Sequence, residues 1–275
     1  MNRKNFIKQS ALMTGAGLVL PGYKSIEKGA VILGANETIN IGAIGINGMG
    51  WSDTKALLRI PGVKLTAICD VDQNVLEKRE AEMKTEGTRV KTFSDYRKLL
   101  DQKDIDAVVI GSPDHWHALM MIHASEAGKH VYCEKPIGNS VGECRAMVAA
   151  QERYSNVVQV GQWQRSQQHF QDAVKFIKSG ILGPIRTVKV WCYQGWMRPD
   201  PIVANSTPPK GVDYKSWLGP APNKPFNSSR FHFHFRWFWD YAGGLMTDWG
   251  VHLLDYALLG MEASLPKTIV GLGGK

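Results

Sequence analysis

The chain has 275 residues, room for about two domains at ~150 residues each. Its 44% apolar content can fill a core. The formal charge of +8 comes from 33 basic and 25 acidic residues, half of it lies within residues 1–30, and no basic stripe remains to argue for nucleic acid. Heptad arrays, tandem repeats and long low-complexity tracts are absent. The four cysteines, Cys69, Cys133, Cys144 and Cys192, form no Cys-x-x-Cys pair, and Cys69 and Cys133 read as free thiols in buried strands.

Met1–Gly22 opens with basic residues, continues through an apolar stretch from Ala11 to Leu20 and ends at Pro21-Gly22, the layout of an export signal. The stretch is shorter than the ~20 apolar residues a spanning helix needs, so no stable membrane insertion is expected once a leader is removed. Asn2–Lys8 resembles a twin-arginine pattern with Lys4 in the second arginine position, which points to a periplasmic destination. An ordinary unfolded-chain signal is the alternative. Residues 1–30 are set aside as leader.

Residues 36–161 read as a dinucleotide-binding domain. Ile39–Gly45 is a strand, Gly45-Ile46-Asn47-Gly48-Met49-Gly50 a glycine-rich turn, and Trp51–Ile60 a helix. This is close to G-x-G-x-x-G in its strand–turn–helix setting, with Asn47 in the middle glycine position. Gly45 permits the tight turn, Gly50 allows helix and strand to touch, and the helix amino end can take a pyrophosphate. The next strand, Val63–Cys69, ends at Asp70, 20 positions after Gly50, where a carboxylate can hold the ribose hydroxyls. Asp70 also repels a 2′-phosphate, which favours NAD over NADP.

A helix over Val71–Met83, a third strand over Asp106–Ile110 and a helix over His115–Ala127 continue the rhythm. Strands at His130–Cys133 and Val157–Gly161 flank a helix through Val141–Val148. Alternation of this kind implies a doubly wound parallel sheet. Asp114-His115-Trp116-His117 could suggest metal ligands. The i, i+2 spacing separates the histidines, so a cofactor-side loop is the preferred reading, with Ser112, Pro113 and His117 beside the nicotinamide half and no metal. Glu134-Lys135-Pro136 follows the His130–Cys133 strand directly. A charged pair at a strand's carboxyl end is poor core material, and that edge is where open α/β sheets bind ligands. A plain turn is the structural alternative.

Beyond Gly161 the pattern changes, and residues 162–275 read as a second, α+β domain with an open, mainly antiparallel sheet. Gln167–Ser179 is a helix, and Ile185–Tyr193 alternates as a strand covered on one side. Trp196–Ser229 reads as a long ordered loop. Phe231–Tyr241 is dense in aromatics, suited to sugar faces or to packing between domains. In Gly243–Asp255, Asp248 and His252 stand four apart on one helix face. There the carboxylate can orient the imidazole as a general base.

Together the glycine-rich turn, Asp70, Glu134-Lys135-Pro136 and the Asp248/His252 pair resemble the Gfo/Idh/MocA family, the glucose–fructose oxidoreductase and inositol dehydrogenase group, from about Ile39 onward. The resemblance implies NAD(P)-dependent oxidation or reduction of a sugar or cyclitol hydroxyl. It implies that Lys135 contacts the reacting oxygen, that His252 is the acid/base, and that Asp248 is its partner or a substrate ligand. Trp217-Leu218-Gly219-Pro220 and Trp237–Tyr241 resemble an exported branch. The expected cofactor contacts add Met49, Glu134, Lys135 and Gln162 to the turn residues and Asp70. The expected substrate contacts are Arg165, Arg230, Trp239, Asp248 and His252.

Family members pair into homodimers or homotetramers and carry further sheet strands, so a strand beginning at Ile269 suggests that a C-terminal portion is missing. A competing function is glycoside cleavage through a transient keto-sugar with bound NAD. Relatives resembling an N-acetylgalactosaminidase lack the lysine, so Lys135 argues against that subtype. A non-catalytic sensing module is opposed by the joint presence of Lys135, Asp248 and His252.

Overall fold

The computed structural model describes residues 38–193, 203–263 and 266–272. The expected leader and the first residues of the expected loop, 196–202, lie outside them. The first unit alternates strands and helices: β1 (Ile39–Ile44), α1 (Met49–Leu57), β2 (Val63–Cys69), α2 (Gln73–Thr85), β3 (Lys91–Phe93), α3 (Tyr96–Leu100), β4 (Ala107–Ile110), α4 (Asp114–Glu126), β5 (His130–Cys133), α5 (Val141–Tyr154) and β6 (Val158–Val160). All six strands are parallel, in the order β3-β2-β1-β4-β5-β6. Reversal of strand order at β1 opens a crevice between the carboxyl ends of β1 and β4.

Each sheet face carries its own apolar layer. One gathers Leu99, Val108, Ile110, Met121, Val131 and Met147, and the other Ile41, Ile46, Trp51, Leu65, Ile68 and Val109. Burial on both faces explains why β4 is an unbroken apolar run and β1 nearly one. Helix ends are specified locally. Asp72 caps α2 by accepting from the Asn74 amide, and Asp95 caps α3 from Arg97. Ser140 and Glu143 form a reciprocal capping box on α5.

The strand β3 and helix α3 do not stand out in the sequence. β3 has three residues, two of them exposed, and shows no alternation long enough to read. It is held at the sheet edge by β2.

The second unit contains α6 (Gln168–Lys178), α7 (Tyr214–Leu218) and α8 (Val251–Met261). Helices α6 and α8 pack together, with Phe170 stacked on Tyr256 at 4.2 Å and Lys178 paired to Glu262 at 2.6 Å. A third apolar cluster, Trp217, Leu218, Phe226, Phe231 and Tyr241, fastens this unit to the first. Residues 166–272 contribute no named strand among the described residues. The expected antiparallel sheet, the Ile185–Tyr193 strand and the strand at Ile269 are therefore not formed there. Val188 and Val190 do alternate, but both are exposed and no described segment pairs with them. Alternation encodes a face and supplies no partner. No described helix is long and apolar enough to cross a membrane.

Gly50 and Gly142 should respond oppositely to alanine. A Cβ on Gly50 would lie 2.2 Å from the Gly45 carbonyl oxygen and 2.9 Å from Gly111 Cα, so helix and strand must separate. Gly50→Ala is expected to cost about 1–3 kcal/mol or more. A Cβ on Gly142, in α5, meets only Ser140 Oγ at 3.8 Å. Gly142→Ala is expected to gain up to about 1 kcal/mol. Urea unfolding of both variants measures the two signs.

Candidate active site

A cleft of about 930 Å³ runs along the carboxyl ends of the strands and is walled on its far side by the second unit. Its nucleotide end is built by the turn after β1. Gly45 has φ 75°, and a Cβ there would strike the Ser112 amide nitrogen at 2.5 Å. Gly48, with φ 92°, stands before α1, which has no side-chain cap, and the space where its Cβ would point is open. An uncapped helix end beneath an open glycine face fits a pyrophosphate.

Asp70 closes this end. Its carboxylate accepts from the Ile46 amide at 3.0 Å and the Asp72 amide at 3.1 Å. Burial raises its pKa, and these two hydrogen bonds oppose that rise. Gly45, Asn47, Gly48, Met49 and Asp70 all line the cleft, whereas Gly50 lies beneath the turn. The residues present fit a dinucleotide.

A belt from the second unit crosses this end. His232 Nε2 lies 3.0 Å from Asp72 Oδ2, and its Nδ1 lies 3.3 Å from Asn47 Nδ2. One tautomer satisfies both contacts, donating to Asp72 and accepting from Asn47. Nearby, the Gln73 amide donates to the Gly211 carbonyl at 2.8 Å, Asn74 Nδ2 donates to the Lys210 carbonyl at 3.0 Å, and the Asp213 amide donates to the Val71 carbonyl at 2.9 Å.

At the other end, β5 delivers Glu134 and Lys135, and the Lys135–Pro136 peptide is cis. Lys135 Nζ donates to Asp248 Oδ1 at 2.6 Å and to the Asp248 backbone carbonyl at 3.0 Å. Asp248 sits in a π-helical turn, Met246–Gly250, that leads directly into α8. Arg236 Nε lies 3.1 Å from Asp248 Oδ2. The Arg236 guanidinium is stacked over Phe233 at 4.0 Å and over Phe235 at 5.1 Å.

His252 is buried on the first turn of α8, with Trp163 edge-on at 6.1 Å. Its Nδ1 has no hydrogen-bond partner. The expectation that Asp248 orients this ring is corrected here. Two cations hold the Asp248 carboxylate, which acts on His252 through its charge alone. Burial and then the Lys135 charge push the His252 pKa down to about 4. The ring is a neutral base at physiological pH.

Ser112, Pro113, His117 and Glu134 also line the cleft. His117 Nδ1 lies 2.7 Å from the Pro136 carbonyl oxygen and Nε2 lies 2.8 Å from that of Ser112. Burial lowers its pKa, so the neutral ring donates to one of the two carbonyls. His115 turns elsewhere, its Nε2 lying 3.1 Å from the Trp217 carbonyl oxygen.

Besides Gly50, four expected contacts lie off the cleft wall. Gln162 precedes a 3₁₀ turn, and its buried Oε1 lacks a donor. Arg165 Nε donates to Asp255 at 2.7 Å, joining the turn to α8. Arg230 Nη2 donates to the Pro225 carbonyl at 2.5 Å. Trp239 is 86% exposed.

Two cleft residues escaped sequence reasoning. Arg236 is hidden in an aromatic tract whose register gives no clue to its direction. Asp114 begins α4 and lines the cleft, and burial pushes its carboxyl up to about 7 despite the opposing Lys135 charge. The signal for it was present: an acid directly after Ser112-Pro113, at the carboxyl edge of β4.

Comparison with known proteins accords with this geometry. An oxidoreductase family profile described as an NAD-binding Rossmann fold matches residues 39–162, and the family's C-terminal alpha/beta domain matches residues 166–270. A glycosyl hydrolase family 109 protein of Shewanella pealeana is 33% identical over 171 residues, 56% of this chain and 37% of that protein. An alpha-N-acetylgalactosaminidase of Shewanella oneidensis is 33% identical over 172 residues, with the same coverage. The chain thus spans little more than a third of the length of the curated relatives it matches.

Among solved structures, myo-inositol 2-dehydrogenase of Lactobacillus plantarum is 31% identical, with 54% of this chain and 43% of that one covered and a TM-score of 0.50. An NAD-binding protein from Listeria innocua, 24% identical, shares the fold over 80% of this chain and 54% of its own, with a TM-score of 0.56. The two profiles together cover most of the sequence, and the chain belongs to the Gfo/Idh/MocA family of oxidoreductases, with an NAD-binding Rossmann domain at its amino-terminal side.

Proposed function

We propose that this protein exchanges a hydride between NAD and a hydroxyl-bearing carbon of a sugar, cyclitol or glycoside. The observation that carries the reading is that Lys135 and the unprotonated His252 face one cleft at the sheet's carboxyl edge, with Asp248 holding Lys135 in place. Bound NAD supplies the hydride acceptor. The Lys135 ammonium donates to the reacting oxygen and stabilises its developing charge. His252 takes the hydroxyl proton in oxidation and returns it in reduction. Asp70 disfavours a 2′-phosphate, which supports NAD over NADP.

A second reading, glycoside cleavage through a transient keto-sugar, is favoured by one feature of the same cleft. Removing a C–H proton and protonating a leaving oxygen requires an acid as well as a base. Asp114, protonated near neutrality, supplies an acid that simple oxidation does not need. The glycosidase names of the Shewanella relatives also support cleavage as a class, while Lys135 argues against the N-acetylgalactosaminidase subtype.

The basic start and apolar Ala11–Leu20 stretch support export to the periplasm by a twin-arginine-like route. Family precedent supports a homodimer or homotetramer.

Replacing His252 by Ala should lower turnover by about 10²–10⁴-fold while reduced-nicotinamide binding persists. Turnover near the wild-type rate would remove His252 from the chemistry. Lys135→Met should cost at least about 10²-fold in kcat.

The pH profile separates the two readings. Both require neutral His252 and therefore fail as pH falls through about 4. Cleavage also requires protonated Asp114, so its rate should fall above pH of about 7, and Asp114→Asn should suppress it. Hydride transfer alone keeps its rate on that alkaline side. Incubation with a panel of sugars and glycosides, following nicotinamide reduction and aglycone release together, tests the function itself. Net reduction supports the dehydrogenase, aglycone release without reduction supports cleavage, and neither signal with cofactor bound overturns both.

A further inference from the structure

A second carboxyl pair lies behind the reactive end of the cleft. Asp53 projects from α1, the helix whose amino end faces the nucleotide, and Glu134 immediately precedes Lys135. Their side chains meet in the interior, with relative exposures of 8% and 4%. Asp53 Oδ2 and Glu134 Oε1 are both buried and no donor reaches either atom, although the Tyr132 hydroxyl and the Lys135 amide do reach the Glu134 carboxyl. Glu134 is packed tightly against the backbone: a Cβ on Gly161 would lie 2.1 Å from Glu134 Oε1, so only glycine leaves the carboxyl its space.

Two ionised carboxylates cannot share such a site without a donor, because both Coulomb repulsion and lost hydration oppose them. One proton between the two oxygens provides the missing donor. Burial raises the pKa of both groups above the ordinary carboxylate range. The other titratable groups facing the pair are Tyr132, Cys133 and Lys135. The first two are themselves driven toward their neutral forms by burial, and the Lys135 charge opposes the rise at Glu134.

We propose that Asp53 and Glu134 share a single proton, and that this hydrogen-bonded pair ties α1 to the Lys135 segment, making Asp53 a positioning residue for the reactive lysine. Helix α1 reaches the nucleotide through its amino end, and Lys135 reaches Asp248. The pair connects these two sides of the cleft beneath the floor. Loss of the shared proton turns the tie into a repulsion that pushes Glu134, and Lys135 with it, away from α1. The folded state binds more protons here than the unfolded chain, so this contribution to stability is present at low pH and is lost as pH rises.

The test needs no sugar, so its failure is distinguishable from failure of the proposed activity. Infrared difference spectra and reduced-nicotinamide binding would be measured from about pH 5 to about pH 9, spanning the ordinary carboxylate range and the region above it. They would use the purified protein, Asp53→Asn, Asp53→Leu and Glu134→Gln. An Asp114→Asn background removes the carboxyl of the cleft from the spectra.

A protonated-carboxyl band should persist well above pH of about 5 in the parent and vanish in both amide variants. Affinity for reduced nicotinamide should fall about fivefold or more toward high pH in the parent. That fall should flatten in Asp53→Asn, whose amide donates without a proton, and Asp53→Leu should bind weakly at every pH. A band unchanged by either amide substitution, or the same pH dependence in parent and Asp53→Asn, overturns the proposal. If Asp53→Asn does not fold, Glu134→Gln replaces it, with the same two outcomes deciding the matter.

Discussion

Lys135 and Asp248 are 113 residues apart in the chain, and their 2.6 Å contact holds the cleft in its present shape. Lys135 stands on the end of β5, while Asp248 stands in the turn that starts α8. Neither side chain is more than 15% exposed, so each charge has lost most of its water and depends on the other. Stripping one partner from such a pair typically costs about 3–5 kcal/mol. The interaction therefore fixes the second unit against the edge of the sheet. It also bears on the state of His252. With Asp248 held by Lys135 and Arg236, Nδ1 of the ring has no hydrogen-bond partner. Burial first, and then the Lys135 charge, lower the pKa of the ring against the opposing charges of Asp248 and Asp255, so the histidine is a neutral base chiefly because it is buried.

Carboxyl groups in and under this cleft follow the same logic in the opposite direction. Asp114 lines the wall and Asp53 and Glu134 lie below it, and burial favours the protonated form of each. A region holding Lys135 and Arg236 as cations, His252 as neutral base and several carboxyls as potential acids stores protons of different lability within a short distance. Redox chemistry at a hydroxyl and elimination beside a carbonyl draw on the same inventory.

Much of the first unit could be read directly from residue order. The run Ile39–Ile44, the turn through Gly50 and the acid at Asp70 form a local code, because each feature is defined by close neighbours in sequence. Lys135 was legible for a related reason, as charge placed where a buried strand ends. Features created by distant encounters were not. Arg236 acquires its role from Asp248 and from two rings it covers, and nothing in the order of the tract Phe231–Tyr241 reports that. Arg165 looked available for a ligand, yet Asp255 takes it. The alternating segment Ile185–Tyr193 had the right period, but a strand also needs a neighbour to complete its hydrogen bonds. The spacing of Asp248 and His252 was legible, although Lys135 and Arg236, distant in sequence, take the Asp248 carboxylate.

The belt from residues 210–213 and His232 fastens one end of the cleft. It is anchored to Asn47, Asp72, Gln73 and Asn74, on the nucleotide side alone. Lys135 is held separately, by Asp248. The two ends of the cleft are thus fastened by independent sets of contacts, and one set can loosen while the other keeps its shape.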